Sequence, residues 1–255
     1  MFADKVRLLR GEVESLADLP PRERGEREQR LADAALLPCA MLTGDTDATA
    51  AAAARMSPLA RQALLSAVGA AAMAFGKTNP EPVMSAVTEV LSMAGDATAP
   101  SAVRGSALAT LAVIAQACGI RLVPHLPGAM TAVLTSGRTA AASLAATAAA
   151  TGAGIKEPPV AKRVGKPRSS DGHNDDDEET PLSTEESSAV ELAAALAALT
   201  ALIRSLGAFL SPYLKEALQL VLDPVVTTGC ETAGCAAAAA TVRCEQARVL
   251  VLTGP

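Results

Sequence analysis

The chain has 255 residues, half of them apolar, yet only 2% aromatic, with no Trp, one Tyr and three Phe. Its net charge of −5 argues against a broadly basic nucleic-acid surface. The β-branched and aromatic runs that mark strands are scarce, and much of the apolar share is Ala, the strongest helix former, so an all-α fold is predicted.

At the N-terminus, MFADKVRLLRGEVESLADL alternates charge with apolar residues and has no continuous hydrophobic core of a signal peptide. Val6, Leu9, Val13 and Leu16 recur at helical spacing. After Pro20-Pro21 a second pattern leads into Leu31, Leu36 and Leu37, with Pro38 obscuring its end. Residues 1–44 are therefore read as an N-terminal helical pair. The stretch 45–54, DTDATAAAAA, is either a linker or an extension of the next helix.

Residues 57–76 predict a helix with Ser57 as N-cap and Pro58 at its first position. Residues 81–96, EPVMSAVTEVLSMAGD, predict its partner. The longest apolar stretches, such as 63–75, read as too short and too rich in Ala and Gly for a membrane span, so no membrane partner is expected. Met56, Met73, Met84, Met93 and Met130 are expected in the core rather than in a binding groove.

The same unit then returns. Leu108, Leu111, Ile114 and Cys118 line one helix face, and Leu126, Met130, Val133 and Leu134 line another. Gly119 is expected to end the first helix in a left-handed cap. Moving 88 residues on, Leu108 falls on Leu196, Gly119 on Gly207, Pro124 on Pro212, Leu126 on Leu214 and Val133 on Val221. Pro124 and Pro212 suit the first turn of the second helix, where a missing N–H costs nothing. Leu64 precedes Leu108 by 44 residues, and a helical-pair period of that size marks a HEAT or armadillo array. Such pairs cannot bury their apolar faces alone, so neighbours stack into an α-solenoid. Residues 45–136 are read as two HEAT-type hairpins.

Between the second and third copies the composition shifts. Residues 137–182 run from Ala and Thr through a basic stretch to DDDEE, and predict a disordered linker inserted between adjacent hairpins. Order is expected to resume at Ser183, whose STEE is a capping box with Glu186 reaching back. Residues 183–255 then hold a third hairpin and a cut-short Ala-rich helix over 233–248. The closing VLVLTGP is no polar capping repeat, so the chain is expected to be part of a longer array.

Reactive chemistry is sparse. The five cysteines form no paired framework, and Cys230, Cys235 and Cys244 have no fourth ligand beside them, so no metal or cofactor is expected. His125 sits where the matching position holds Tyr213, which favours a half-buried residue at a helix start over a catalyst. His173 lies in a solvated acidic run. No nucleophile elbow, phosphate loop or dinucleotide fingerprint occurs, and no enzyme activity is expected. Lys162, Arg163, Lys166 and Arg168 form a short basic cluster that suits a nuclear-import signal or a phosphate contact; the plain alternative is a charge-balanced linker. Ser169, Ser170 and Ser183 lie near acids as candidate phosphorylation sites.

Two stretches carry a family resemblance. RGSALATLAVIAQACGIRLVPHLPGAMTAVL (104–134), followed by LAALTALIRSLGAFLSPYLKEALQLVLDP (196–224), resembles the large HEAT-repeat proteins of the U3 small nucleolar ribonucleoprotein, the family of U3 small nucleolar RNA-associated protein ten. The matching motifs are Pro124-His125-Leu126-Pro127 and Phe209-Leu210-Ser211-Pro212-Tyr213-Leu214. The resemblance covers about 104–134 and 188–224. It implies a non-catalytic scaffold of the nucleolar small-subunit processome. Such a scaffold docks other ribosome-assembly proteins, meets U3 RNA and pre-ribosomal RNA indirectly, and takes no small-molecule substrate. The alternative is another HEAT adaptor, of the nuclear-transport or phosphatase-scaffold type.

Overall fold

The computed structural model describes residues 21–43, 56–152, 184–223 and 226, and among them every regular element is helical. In chain order these are α1 (Pro21–Thr43), α2 (Pro58–Phe75), α3 (Glu81–Gly95) and α4 (Ser101–Cys118). A 3-10 stretch (Gly119–His125) leads into α5 (Leu126–Gly152). Then come α6 (Thr184–Leu206), two 3-10 turns (Gly207–Phe209 and Ser211–Tyr213) and α7 (Leu214–Val221).

The helices pack in two layers. In one, α2 lies against α4 and α4 against α6; in the other, α3 lies against α5 and α5 against α7. The layers are sewn together by α3 on α4 and α5 on α6, while α1 rests on α2 and α3. Two contacts set the direction of α2 and α4. About midway along both, the Thr110 hydroxyl donates to the Leu65 carbonyl at 3.0 Å. At their ends, a Cβ on Gly76 would stand 3.0 Å from Ala117 Cβ and 3.2 Å from Cys118 Sγ. The two helices therefore run parallel.

One apolar cluster runs through both layers, with Leu65 and Val68 of α2, Val83, Val87 and Val90 of α3, and Leu108, Leu111 and Ile114 of α4. It continues through Met130 and Val133 to Leu192, Leu196, Leu199 and Leu202. Each fully buried Leu or Ile contributes roughly 1.5–3 kcal/mol by leaving water. Small residues set the spacing between helices. A Cβ on Gly105 would stand only 3.6 Å from the Glu191 backbone, so α4 and α6 approach closely there.

Local signals fix several ends. Ser57 caps α2 by accepting the Ala60 N–H at 3.2 Å, with Pro58 in the first turn, as the sequence predicts. Before α4, Asp96 accepts both the Thr98 N–H and hydroxyl, at 2.8 and 2.6 Å.

Other expectations need correction. Pro124 and Pro212 do not open α-helices; they sit in the 3-10 turns one step earlier, and α5 and α7 begin at Leu126 and Leu214. The tighter i to i+3 winding of those turns spans the gap between layers in few residues, and it tolerates the missing proline N–H equally well. Gly119 has the positive φ expected, 55°, but its ψ of −125° lies outside the left-handed helical region, in territory open to glycine. The linker starts later than composition indicates, because α5 runs on to Gly152. The Ala and Thr residues of 137–152 have ample helix propensity, and Ala140, Ala141 and Leu144 are buried, so this stretch belongs to the packed body. Pro38 is carried inside α1, which continues to Thr43. Met130 is buried and Met56, Met84 and Met93 pack on the core, but Met73 is 46% exposed.

Residues 1–20, 44–55, 153–183 and 227–255 lie outside the described residues. With them lie the first helix of the expected N-terminal pair, the Ser183 capping residue and the 233–248 helix.

Three stretches, Pro58–Phe75, Ser101–Thr147 and Glu186–Phe209, are long and apolar enough by length and composition to cross a membrane, contrary to the reading of the sequence. Between 39% and 56% of each is buried against other parts of the chain. The second is broken by the turn carrying Arg121 and also includes Arg104 and Arg138.

Candidate functional site

The repeated motif builds the two turns that join the layers. Leu122 and Leu126 flank Pro124 and are buried; Leu210 and Leu214 flank Pro212, with Leu210 buried and Leu214 packed on the core. The leucines anchor each turn while Pro124, Ser211 and Pro212 face solvent. His125 and Tyr213 are half-buried at matching places, as read from the sequence. The Tyr213 ring packs against the core. These residues shape the turns, and they bring no reactive groups together.

Polar links run between packed helices at intervals close to the repeat length. Besides Thr110 to Leu65, the Ser136 hydroxyl donates to the Ala94 carbonyl at 2.6 Å, and Ser143 and Ser188 share a hydrogen bond of 3.0 Å. The strongest link is ionic. Arg104 of α4 grips Glu191 of α6 with two bonds of 2.7 Å, from Nε to Oε1 and from Nη2 to Oε2. Nη1 of the same guanidinium donates to the Ala99 carbonyl in the turn before α4. Glu191 is 1% exposed, so a carboxylate here is tolerable only because the planar guanidinium meets both its oxygens. The hydrogen bond to Glu191 also pushes the Arg104 pKa upward. This pair escapes a motif search. It is legible only once the repeats are aligned, because position 191 then stands one residue out of register with 104 on two otherwise apolar faces.

Glu191 is thus held as an ion-pair partner. Asp96 lies on the surface, where the hydroxyl and N–H of Thr98 hold its carboxyl below the usual range. Cys39 of α1 and Cys118 of α4 are both buried, free thiols. Burial, and then the neighbouring Cys118, push Cys39 up to about 11. Burial also raises Cys118, with Arg121 close by pulling the other way. Raised thiols are protonated and poorly nucleophilic. Among the described residues no three His, Cys, Asp or Glu side chains gather as a metal site. Lys162, Arg163, Lys166 and Arg168, together with His173, Ser169, Ser170 and Cys230, Cys235 and Cys244, lie outside the described residues.

Helical pairs layered around a shared core and joined by polar links define an all-α protein. Comparison with known proteins gives no closer assignment: no family model, no curated protein and no solved structure matches the chain.

Proposed function

We propose that the chain is a non-catalytic scaffold built as a HEAT-type α-solenoid. The observation that carries this reading is the side-by-side pairing of two like-shaped units. One is α4, a 3-10 stretch and α5; the other is α6, two 3-10 turns and α7. Like helices pack on like, α4 on α6 and α5 on α7, and α5 also packs on α6. In such an array the inward faces are consumed by stacking, and the outward faces are left to dock other proteins. The polar groups within the core serve cohesion, since Glu191 is saturated by Arg104 and the buried thiols are protonated.

The setting we propose is the nucleolar small-subunit processome, with ribosome-assembly proteins as direct partners and U3 RNA as an indirect one. That assignment rests on the resemblance of 104–134 and 196–224 to the U3-associated HEAT family. The test is to express the tagged full chain, follow its location, and sequence the RNA that co-purifies. Concentration in nucleoli together with U3 RNA is the expected result. Diffuse cytoplasmic signal with transport receptors or phosphatase subunits would replace it with the other HEAT-adaptor class.

A further inference from the structure

The open face of the first layer carries a groove between α2 and α4. It has a volume of about 300 Å³ and is lined by Gln62 and Ser66 from α2 and by Ser106, Ala109, Thr110 and Val113 from α4. Apart from Gln62, the side chains lining the hollow are small. Of the lining residues, Ala109 is exposed and Val113 half-exposed. At the end where Gly76 meets Ala117 and Cys118, two large apolar residues stand out in solvent: Met73 on α2, and Ile120, 67% exposed, in the turn after α4.

Charge around the groove is one-sided. The chain as a whole is acidic, with 27 carboxylates against 22 basic side chains. Yet residues 58–80 and 101–151, which contain both walls and their following turns, hold no Asp or Glu at all. They contain Arg61, Lys77, Arg104, Arg121 and Arg138. Arg104 is consumed by Glu191, Arg61 lies within electrostatic reach of Asp96, and Arg138 faces Glu216 at 3.6 Å. Lys77 and Arg121 remain, both exposed, at the Met73–Ile120 end.

From this placement we infer that the α2–α4 groove is a docking site for an acidic amphipathic helix of a partner protein. The helix sets its apolar stripe on Val113, Met73 and Ile120, and its carboxylates meet Lys77 and Arg121. A furrow between two parallel helices, shallow and walled by small residues, receives the ridge of a third helix. Cationic side chains beside an apolar strip, with no carboxylate on either wall, attract acidic segments and repel basic ones. Two exposed cations are too few for a nucleic-acid track, whose affinity is built from many phosphate contacts. The inference deepens the scaffold reading and depends on it, by naming which face docks and the chemistry of what docks there.

The probe is a displayed library of 16-residue helical peptides, with apolar residues fixed at i, i+4, i+7 and i+11 and all other positions free in charge. It is selected on the full chain. Peptides rich in Asp and Glu are expected to enrich. Their affinity, read by fluorescence anisotropy, is expected to fall about tenfold or more in Ala109→Glu and to weaken as salt rises. The double variant Lys77→Glu/Arg121→Glu is expected to switch the selection to Lys-rich peptides. All three positions are exposed, and unchanged helical circular dichroism and melting confirm folding of each variant. Enrichment indifferent to charge, selection of basic peptides by the native chain, or binding untouched by both variants would each overturn the site. If assembly proteins still co-purify with variants that no longer bind the peptides, the scaffold reading stands and they dock elsewhere. If neither occurs, both fall.

Discussion

At the scale of single residues, the Arg104–Glu191 pair is the most consequential choice in the described chain. A carboxylate buried to 1% exposure is tolerated while the guanidinium meets it, and becomes a heavy liability when it does not. Arg104→Met is expected to destabilise by about 3–5 kcal/mol, as removal of one partner from a buried pair does. The double variant Arg104→Met/Glu191→Leu is expected to recover most of that loss, because no charge is then left uncompensated. Urea denaturation of the two variants checks this; equal losses in both would show that shape, not charge, holds α4 to α6. A second residue-scale expectation concerns Cys39, whose thiol rises from the ordinary 9.0 to about 11. The unfolded chain gives up this proton at lower pH than the folded one. Stability from this group is therefore complete below about pH 9 and is lost as pH rises toward 11. Cys39→Ala is expected to flatten that alkaline decline, measured as melting temperature against pH. In the folded chain Cys39 is expected to resist iodoacetamide until denaturant opens α1. Asp96 has the opposite sign: its carboxyl is held below the usual range, so its contribution is present at neutral pH and fades as pH falls through that lowered value.

At the scale of elements, the turns decide how one helix becomes a pair. Gly119 holds φ 55° and ψ −125°, which an L side chain adopts only under strain, although open space surrounds its β position. Gly119→Ala is expected to cost about 1–3 kcal/mol from the backbone alone. Gly95→Ala, also with nothing near its β position but with no positive φ, is the matched control and is expected to be close to neutral. Similar losses in both, by thermal melting, would remove the special status of the turn. Helix existence was plain in the sequence wherever a cap or a periodic Leu face was present: Ser57 with Pro58 started α2, and Leu108, Leu111 and Ile114 marked α4. Helix ends were not. The proline motif reads as a first α-turn because the same fixed φ serves both α and 3-10 geometry. The extension of α5 to Gly152 was hidden because Ala and Thr lack the contrast that periodicity needs. The groove between α2 and α4 was hidden for a related reason: a hollow walled by Ser, Ala and Val is defined by what is missing, and no motif records that.

At the scale of the whole molecule, α4 is the hub, packed on α2, α3 and α6. A chain ending at Gly152 loses α6 and α7, uncovering the sides of α4 and α5 that they occupied. That shortened form is expected to bind a hydrophobic dye strongly and to melt broadly at lower temperature, where the full chain melts in one step. A sharp, dye-silent transition in the shortened form would show that the first pairs are stable by themselves. Layered helix pairs share stability with their neighbours, so loss of one pair weakens the next.

The grip between α4 and α6 joins parts of the chain that lie on either side of residues 153–183. That grip is made by side chains and helix faces, so it is expected to outlast the loss of peptide continuity between the two parts. A single engineered cleavage between Gly152 and Thr184 should leave two pieces that travel together through gel filtration. Supplied as separate polypeptides, residues 1–152 and 184–255 should find each other and restore the dye-silent state, with a dissociation constant that worsens sharply in Arg104→Met. The mating faces of α4 and α6, more than covalent linkage, thus keep the two parts of this chain together.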